Sequence, residues 1–306
     1  MRHCSTPLLA TTAALALACA PANASGQCVP YWALDLSALM PESGQRLGTS
    51  VAVSGRNAVL GSVNGVHLLT RNPDGSLMVS PTLAPSGSGP GDLFGVAVAI
   101  SSDTLVVGAS LDDFYASNAG AVYVMDISGD VPLQFQRLAP ITPGVGDWFG
   151  RSVAISGNQI AVGSPANDTG GASAGIVTIA QRLGQTWTTP QSLASPEPDD
   201  FDLFGQSVAM DAGWLVVGCP GDDHAAVNAG AIYVYRLEGD RWVLNERIVA
   251  SDASVFDSFG QSVHIKGDRL VVGAWGDDDA APNAGAVYVF RLLSDVWLPE
   301  QKLIAQ

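Results

Sequence analysis

Short apolar runs, each about the length of a β-strand, alternate with polar turns along most of this chain. The last stretch is the clearest. Residues 259–265, Phe-Gly-Gln-Ser-Val-His-Ile, alternate as a half-buried strand does, and Lys266-Gly267-Asp268 reads as a tight turn. Residues 269–274, Arg-Leu-Val-Val-Gly-Ala, form a mostly apolar run suited to a strand buried on both faces. A polar, acidic loop follows over residues 275–283. Residues 284–291 are rich in β-branched and aromatic side chains and predict a third strand. After a turn at residues 292–295, polar alternation over residues 297–305 predicts a fourth.

The same sequence pattern recurs. Phe94-Gly95, Phe149-Gly150, Phe204-Gly205 and Phe259-Gly260 stand 55 residues apart, and a worn copy, Leu47-Gly48, lies 47 residues before the first. A period of this size marks one supersecondary unit copied in tandem. Four antiparallel strands per copy suit one blade of a β-propeller. The expected fold is therefore all-β: a propeller of about five repeats spanning residues 47–306. Trp187, Trp242 and Trp297 recur in the fourth strand, where they suit the wedge between blades or, alternatively, a ladder for stacking sugars.

Phe-Gly at the first strand resembles the FG-GAP repeat. So do Gly-Ala-Ser110, Gly-Ser-Pro165, Gly-Cys-Pro220 and Gly-Ala-Trp275 after the second. That family builds the β-propeller of integrin α subunits and of many secreted bacterial proteins. The resemblance implies a blade architecture and an adhesion-like or ligand-binding role. It also implies an Asp-rich calcium loop between strands one and two. Here that connection is only a turn: Ser101-Ser102-Asp103, Ser156-Gly157-Asn158, Asp211-Ala212-Gly213 or Lys266-Gly267-Asp268. The calcium loop is not carried over at these positions.

The carboxylates lie elsewhere. Asp92, Asp147, Asp202 and Asp257 each stand two residues before the Phe of the pair. Asp112-Asp113, Asn167-Asp168, Asp222-Asp223 and Asp277-Asp278-Asp279 lie in the loop after strand two. In an up-and-down blade both connections emerge on one face, so the ring gathers these groups there. Three readings stand. Each Asp ties its own turn through side-chain to backbone hydrogen bonds; or the face holds a cation, Ca²⁺ being the natural choice; or it is an acidic platform for a protein or glycan partner.

Net charge changes the picture in one respect. With 14 Lys+Arg against 29 Asp+Glu the chain carries −15 and has no basic cluster, which excludes nucleic acid as a partner. Residues 1–24 read as a secretory signal, with Arg2, an apolar stretch over residues 8–20 and Ala22-Asn23-Ala24 before Ser25. A lipoprotein acylated at Cys19 is the competing reading. No other segment is suited to cross a membrane, so the chain is expected to be secreted, periplasmic or attached to the envelope. Past residue 24 two cysteines remain, Cys28 and Cys219, which form either a disulfide or, for Cys219, a buried apolar contact.

No nucleophile elbow, Cys-His pair or His-rich metal motif appears, and His67, His224 and His264 occupy different repeat positions. Paired carboxylates would serve a carbohydrate-active or other hydrolase. They recur in nearly every copy, however, whereas an active site breaks symmetry. The expectation is a non-enzymatic module that binds a partner through its acidic loop face. Residues 25–46 hold one strand-like segment, 31–39, that resembles an outer strand. This leaves open whether the ring closes or exposes an edge for self-association.

Overall fold

The computed structural model describes residues 46–85, 88–89, 91–129 and 133–304. The signal segment, Cys19, Cys28 and the strand-like segment at 31–39 lie outside these residues. Among the described residues twenty strands form five sheets, each a four-stranded antiparallel meander. Blade I comprises β1 (Ser50–Ser54), β2 (Asn57–Ser62), β3 (Gly65–Arg71) and β4 (Leu77–Val79). Blade II comprises β5 (Phe94–Ser101), β6 (Thr104–Ala109), β7 (Ala121–Asp126) and β8 (Leu133–Leu138). Blade III comprises β9 (Ser152–Ser156), β10 (Gln159–Ser164), β11 (Ile176–Leu183) and β12 (Thr186–Leu193). Blade IV comprises β13 (Ser207–Asp211), β14 (Trp214–Cys219), β15 (Ala231–Glu238) and β16 (Arg241–Ile248). Blade V comprises β17 (Phe259–Lys266), β18 (Arg269–Ala274), β19 (Ala286–Leu293) and β20 (Val296–Ile304). The blades are arranged as a β-propeller, the all-β architecture that the 55-residue period predicts.

The second strands of blades I to IV are buried on both faces, as their unbroken apolar runs require. β18, for which the sequence predicts the same, is buried on one face only, Arg269, Val271 and Gly273 being half-buried. Third and fourth strands pair with a register shift in blades II to V, for example between Val234 and Tyr235. Such bulges sharpen the local twist. β19 begins two residues later than the sequence pattern predicts, because Gly285 (φ 76°) leaves strand geometry.

The core lies between blades rather than within one. Val106, Val122 and Val124 of blade II pack with Phe149, Val153 and Ile155 at the start of blade III, and Trp187 closes the outer end of that cluster. Phe94, Phe149, Phe204 and Phe259 are all buried, each stabilising its seam by about 2 to 3 kcal/mol. Trp187, Trp242 and Trp297 are buried too, which fits wedge filling rather than a sugar platform. Gln191 donates its amide to the Trp242 carbonyl (2.9 Å) and accepts the Trp242 N–H (3.1 Å), joining the outer edges of blades III and IV. Gln136 does the same for Trp187.

Glycine has a specific task at these seams. Gly150 takes φ 90° and brings its carbonyl against Gly108 of the preceding blade. A β-carbon at Gly108 would fall well inside van der Waals contact with that oxygen. Gly163 meets Gly205, and Gly218 meets Gly260, in the same way. Ser152 Oγ donates to the Gly205 carbonyl (2.7 Å) and Ser207 Oγ to that of Gly260 (2.8 Å). The dipeptide that announces the repeat is thus the joint between blades.

Candidate functional site

In blades II, IV and V the lead-in segment touches the loop between the blade's own second and third strands. The Leu111, Gly221 and Gly276 N–H groups donate to the carbonyls of Asp92, Asp202 and Asp257. The next blade's lead-in binds the same loop: Trp148 N–H donates to the Asn118 carbonyl and Phe149 N–H to that of Ala119. These bonds bring the segments that carry the repeated carboxylates side by side.

Most have a local task. Asp92, Asp147, Asp202 and Asp257 accept the backbone N–H three residues earlier, from Gly89, Gly144, Asp199 and Ser254. Asp112, Asp222 and Asp277 accept the N–H two residues on, from Phe114, His224 and Asp279. Asp113, Asp223 and Asp278 each accept an N–H five residues on, from Asn118, Asn228 and Asn283. Asp279 does not follow the pattern and instead turns toward Lys302. This is turn chemistry of the kind short acidic side chains supply.

A second layer joins three of these loops to their own sheets. Tyr123, Tyr233 and Tyr288 donate their hydroxyls to Asp112 (2.6 Å), Asp222 (2.9 Å) and Asp277 (2.9 Å). The residue opposite each tyrosine on strand four is basic: Arg137, Arg247 and Lys302. Arg247 binds Asp222 through two nitrogens. Arg137 lies 3.9 Å above the Phe114 ring. In blade III all three members change together, to Asn167, Thr178 and Ser192, Thr178 facing Ser192 across the strands. In blade I, His67 takes the tyrosine position and is buried, which pushes its pKa down. Sequence reading missed this Asp–Tyr–base set. Its signal was the 55-residue spacing of 247 and 302, with 137 two periods earlier, and the joint loss in blade III.

In blade V three carboxylates gather around one lysine. Asp252, Asp277 and Asp279 offer carboxylate oxygens close enough together to hold an ion. Lys302 Nζ already sits among them, 2.7, 2.7 and 2.5 Å from one oxygen of each. Burial alone would push the Asp277 carboxyl up, but bonds from Lys302 and Tyr288 outweigh it and hold the pKa below its usual value.

Blade IV holds the most perturbed carboxyl. Burial, with Asp222 and Asp199 nearby, pushes Asp202 up to about 6. His224 bridges Asp222 (3.3 Å) and Glu197 (2.9 Å). Asp202 is only 1% exposed, out of reach of a substrate. Cys219 is buried alongside, its thiol pKa pushed up by burial, and donates to the Asp202 carbonyl (3.3 Å).

These joints and loops are what a known repeat looks like in three dimensions. The chain matches the FG-GAP repeat over residues 81–125, 133–178, 187–235 and 242–290. It belongs to the FG-GAP repeat family. No curated protein sequence matches it. Each FG-GAP match begins near the fourth strand of one blade and ends within the third strand of the next, so the repeat spans a joint.

Where the FG-GAP copies differ, the loop face changes character. Three residues before the Phe of each Phe-Gly pair, blades II and III have Gly91 and Gly146; blades IV and V have Phe201 and Phe256. Phe201 and Phe256 adopt φ 66° and 69°, a backbone region that favours glycine. Their rings are 62% and 61% exposed. Trp148 (φ 57°), Phe114 and Tyr115 on the same end are exposed as well. These aromatics were not singled out from sequence, because among apolar positions nothing marks an exposed one.

Proposed function

We propose that this FG-GAP propeller is a non-enzymatic protein-binding module that engages a basic partner through its loop face. One observation carries the reading. Phe201 and Phe256 stand exposed where two other copies have glycine, in a backbone conformation that costs a bulky residue about 1 kcal/mol. A chain gains no stability from an exposed ring held that way, so a contact outside the chain supplies the reason. Exposed aromatics edged by carboxylates suit a partner presenting apolar side chains among Lys or Arg. Asp200, Asp223 and Asp278 are exposed beside them. The face works outside the cytoplasm in this reading. The N-terminal sequence, with Arg2, its apolar stretch and Ala22-Asn23-Ala24, supports export, and no helix among the described residues is long and apolar enough to cross a membrane.

The test is a titration against peptide panels in which apolar residues alternate with Lys/Arg or with Asp/Glu. The basic panel should bind, and its affinity should fall as salt rises. Phe201→Gly with Phe256→Gly should abolish binding while the melting temperature holds or rises. Binding that survives the double substitution would sink the proposal.

A further inference from the structure

Among the described residues four joints between blades follow one rule, and one blade face is left without a partner. The trailing face of a blade takes the Phe-Gly segment and first strand of the next. Its glycine on strand two faces the incoming glycine, and its third-strand valine or isoleucine is covered. Val66, Val122, Val177 and Ile232 are each 0% exposed in that position. Blade V has the same surface: Ser262, Gly273, Gly285, Val287 and, at its edge, Leu303. Yet Val287 is 36% exposed, and a β-carbon at Gly273 would meet only atoms of Ser262 in its own blade. The face forms an open cavity of about 470 Å³, lined by these residues together with Trp275.

The opposite end of the chain carries the missing half. Gly48 has φ 87°, close to the 90–98° of Gly95, Gly150, Gly205 and Gly260, and nothing lies within 4 Å of where its β-carbon would stand. Val51 and Val53 on β1 are 42% and 51% exposed, whereas Val98, Val153 and Val208, which match Val51, are buried against a preceding blade. Further out on blade I, Ala58, Leu60 and Leu69 form a buried cluster with Leu47 and Val79, so the free surface there is the first strand. Among the described residues no packing of the kind that joins successive first strands connects β17 to β1.

We infer that blade V of one copy receives the Leu47-Gly48 segment and β1 of a second copy, head to tail. The chemistry of the occupant is set by the four joints already made: a glycine at positive φ, then small and β-branched residues. Among the described residues, Leu47-Gly48 is the member of that series without a preceding blade. Each of the four Gly–Gly joints is backbone against backbone and tolerates little bending, and among the described residues β1 of the same chain does not pack on blade V. A second copy reaches the slot without deforming any. The contact is heterologous, so it propagates unless its rotation closes. His264 stands where Ala99, Ala154 and Ala209 face the next blade, which makes this seam looser than the other four and the association reversible.

Sedimentation of the full chain at rising concentration tests this. Mass should grow with concentration. Val287→Arg and Val51→Arg should each be monomeric, with an unchanged circular dichroism spectrum. Mixing the two should restore a dimer that grows no further, since one variant keeps a working β1 and the other a working slot. A chain that stays monomeric throughout, as internal closure would make it, overturns the inference. So does an association that either substitution leaves intact, or variants that fail to pair when mixed.

Discussion

Lys302 Nζ lies 2.7 Å from Asp277 Oδ2, at the point where a cation bound by blade V would have to sit. The ammonium also contacts Asp252 and Asp279, and its own pKa is pushed up by the three carboxylates against the cost of burial. Lys302→Met should therefore cost about 2 kcal/mol at neutral pH, because it leaves the buried Asp277 without its charge partner. Millimolar Ca²⁺ should then recover stability in the variant and leave the natural chain unmoved. Thermal melts with and without Ca²⁺ check both halves.

The same cluster has a pH signature. Asp252 and Asp277 both have lowered pKa values: burial works upward, and the bonds from Lys302 and Tyr288 overcome it. A carboxyl depressed in the folded state contributes stability that is fully present above the unfolded value of about 3.9. That contribution is lost as pH falls through the folded values. Acid unfolding of the natural chain should be steep there and shallower in Lys302→Met.

Asp202 should behave in the opposite sense. Its folded pKa of about 6 lies above the unfolded value, so the folded state binds the proton more tightly. Its charge costs stability above pH 6, and stability should rise as pH falls from there toward the unfolded pKa. Asp202→Asn keeps an acceptor for the Asp199 N–H and removes the charge. It should raise stability by about 1 to 2 kcal/mol at pH 8 and lose that advantage in mild acid. Denaturant melts at two pH values decide it.

The period of the Phe-Gly pairs made the architecture legible, because a joint that must be remade in every blade cannot drift. Asp112, Asp222 and Asp277 were legible for the same reason, and their hydrogen bonds assign them to turns. The basic partners were not: Arg137, Arg247 and Lys302 sit in an alternating outer strand, where any polar side chain satisfies the pattern. Phe201 and Phe256 hid differently. Their significance lies in positive φ and exposure, neither of which a hydrophobic residue announces. An open edge was among the sequence expectations, but its place on blade V was not legible, because Gly273 and Val287 keep the sequence of a filled joint.

That last point yields a paired comparison. Gly163 and Gly273 occupy the same place on strand two of their blades. A methyl group on Gly163 would overlap the Gly205 carbonyl, which belongs to backbone and cannot swing aside. Gly163→Ala should cost at least about 3 kcal/mol or prevent folding, since overpacking against fixed atoms forces two blades apart. A methyl group on Gly273 meets only the Ser262 side chain, whose hydroxyl can rotate. Gly273→Ala should change monomer stability by less than about 1 kcal/mol. Chemical denaturation of dilute samples measures both. Equal losses would mean that Gly273 is buried in a seam like the others, and that blade V is not free.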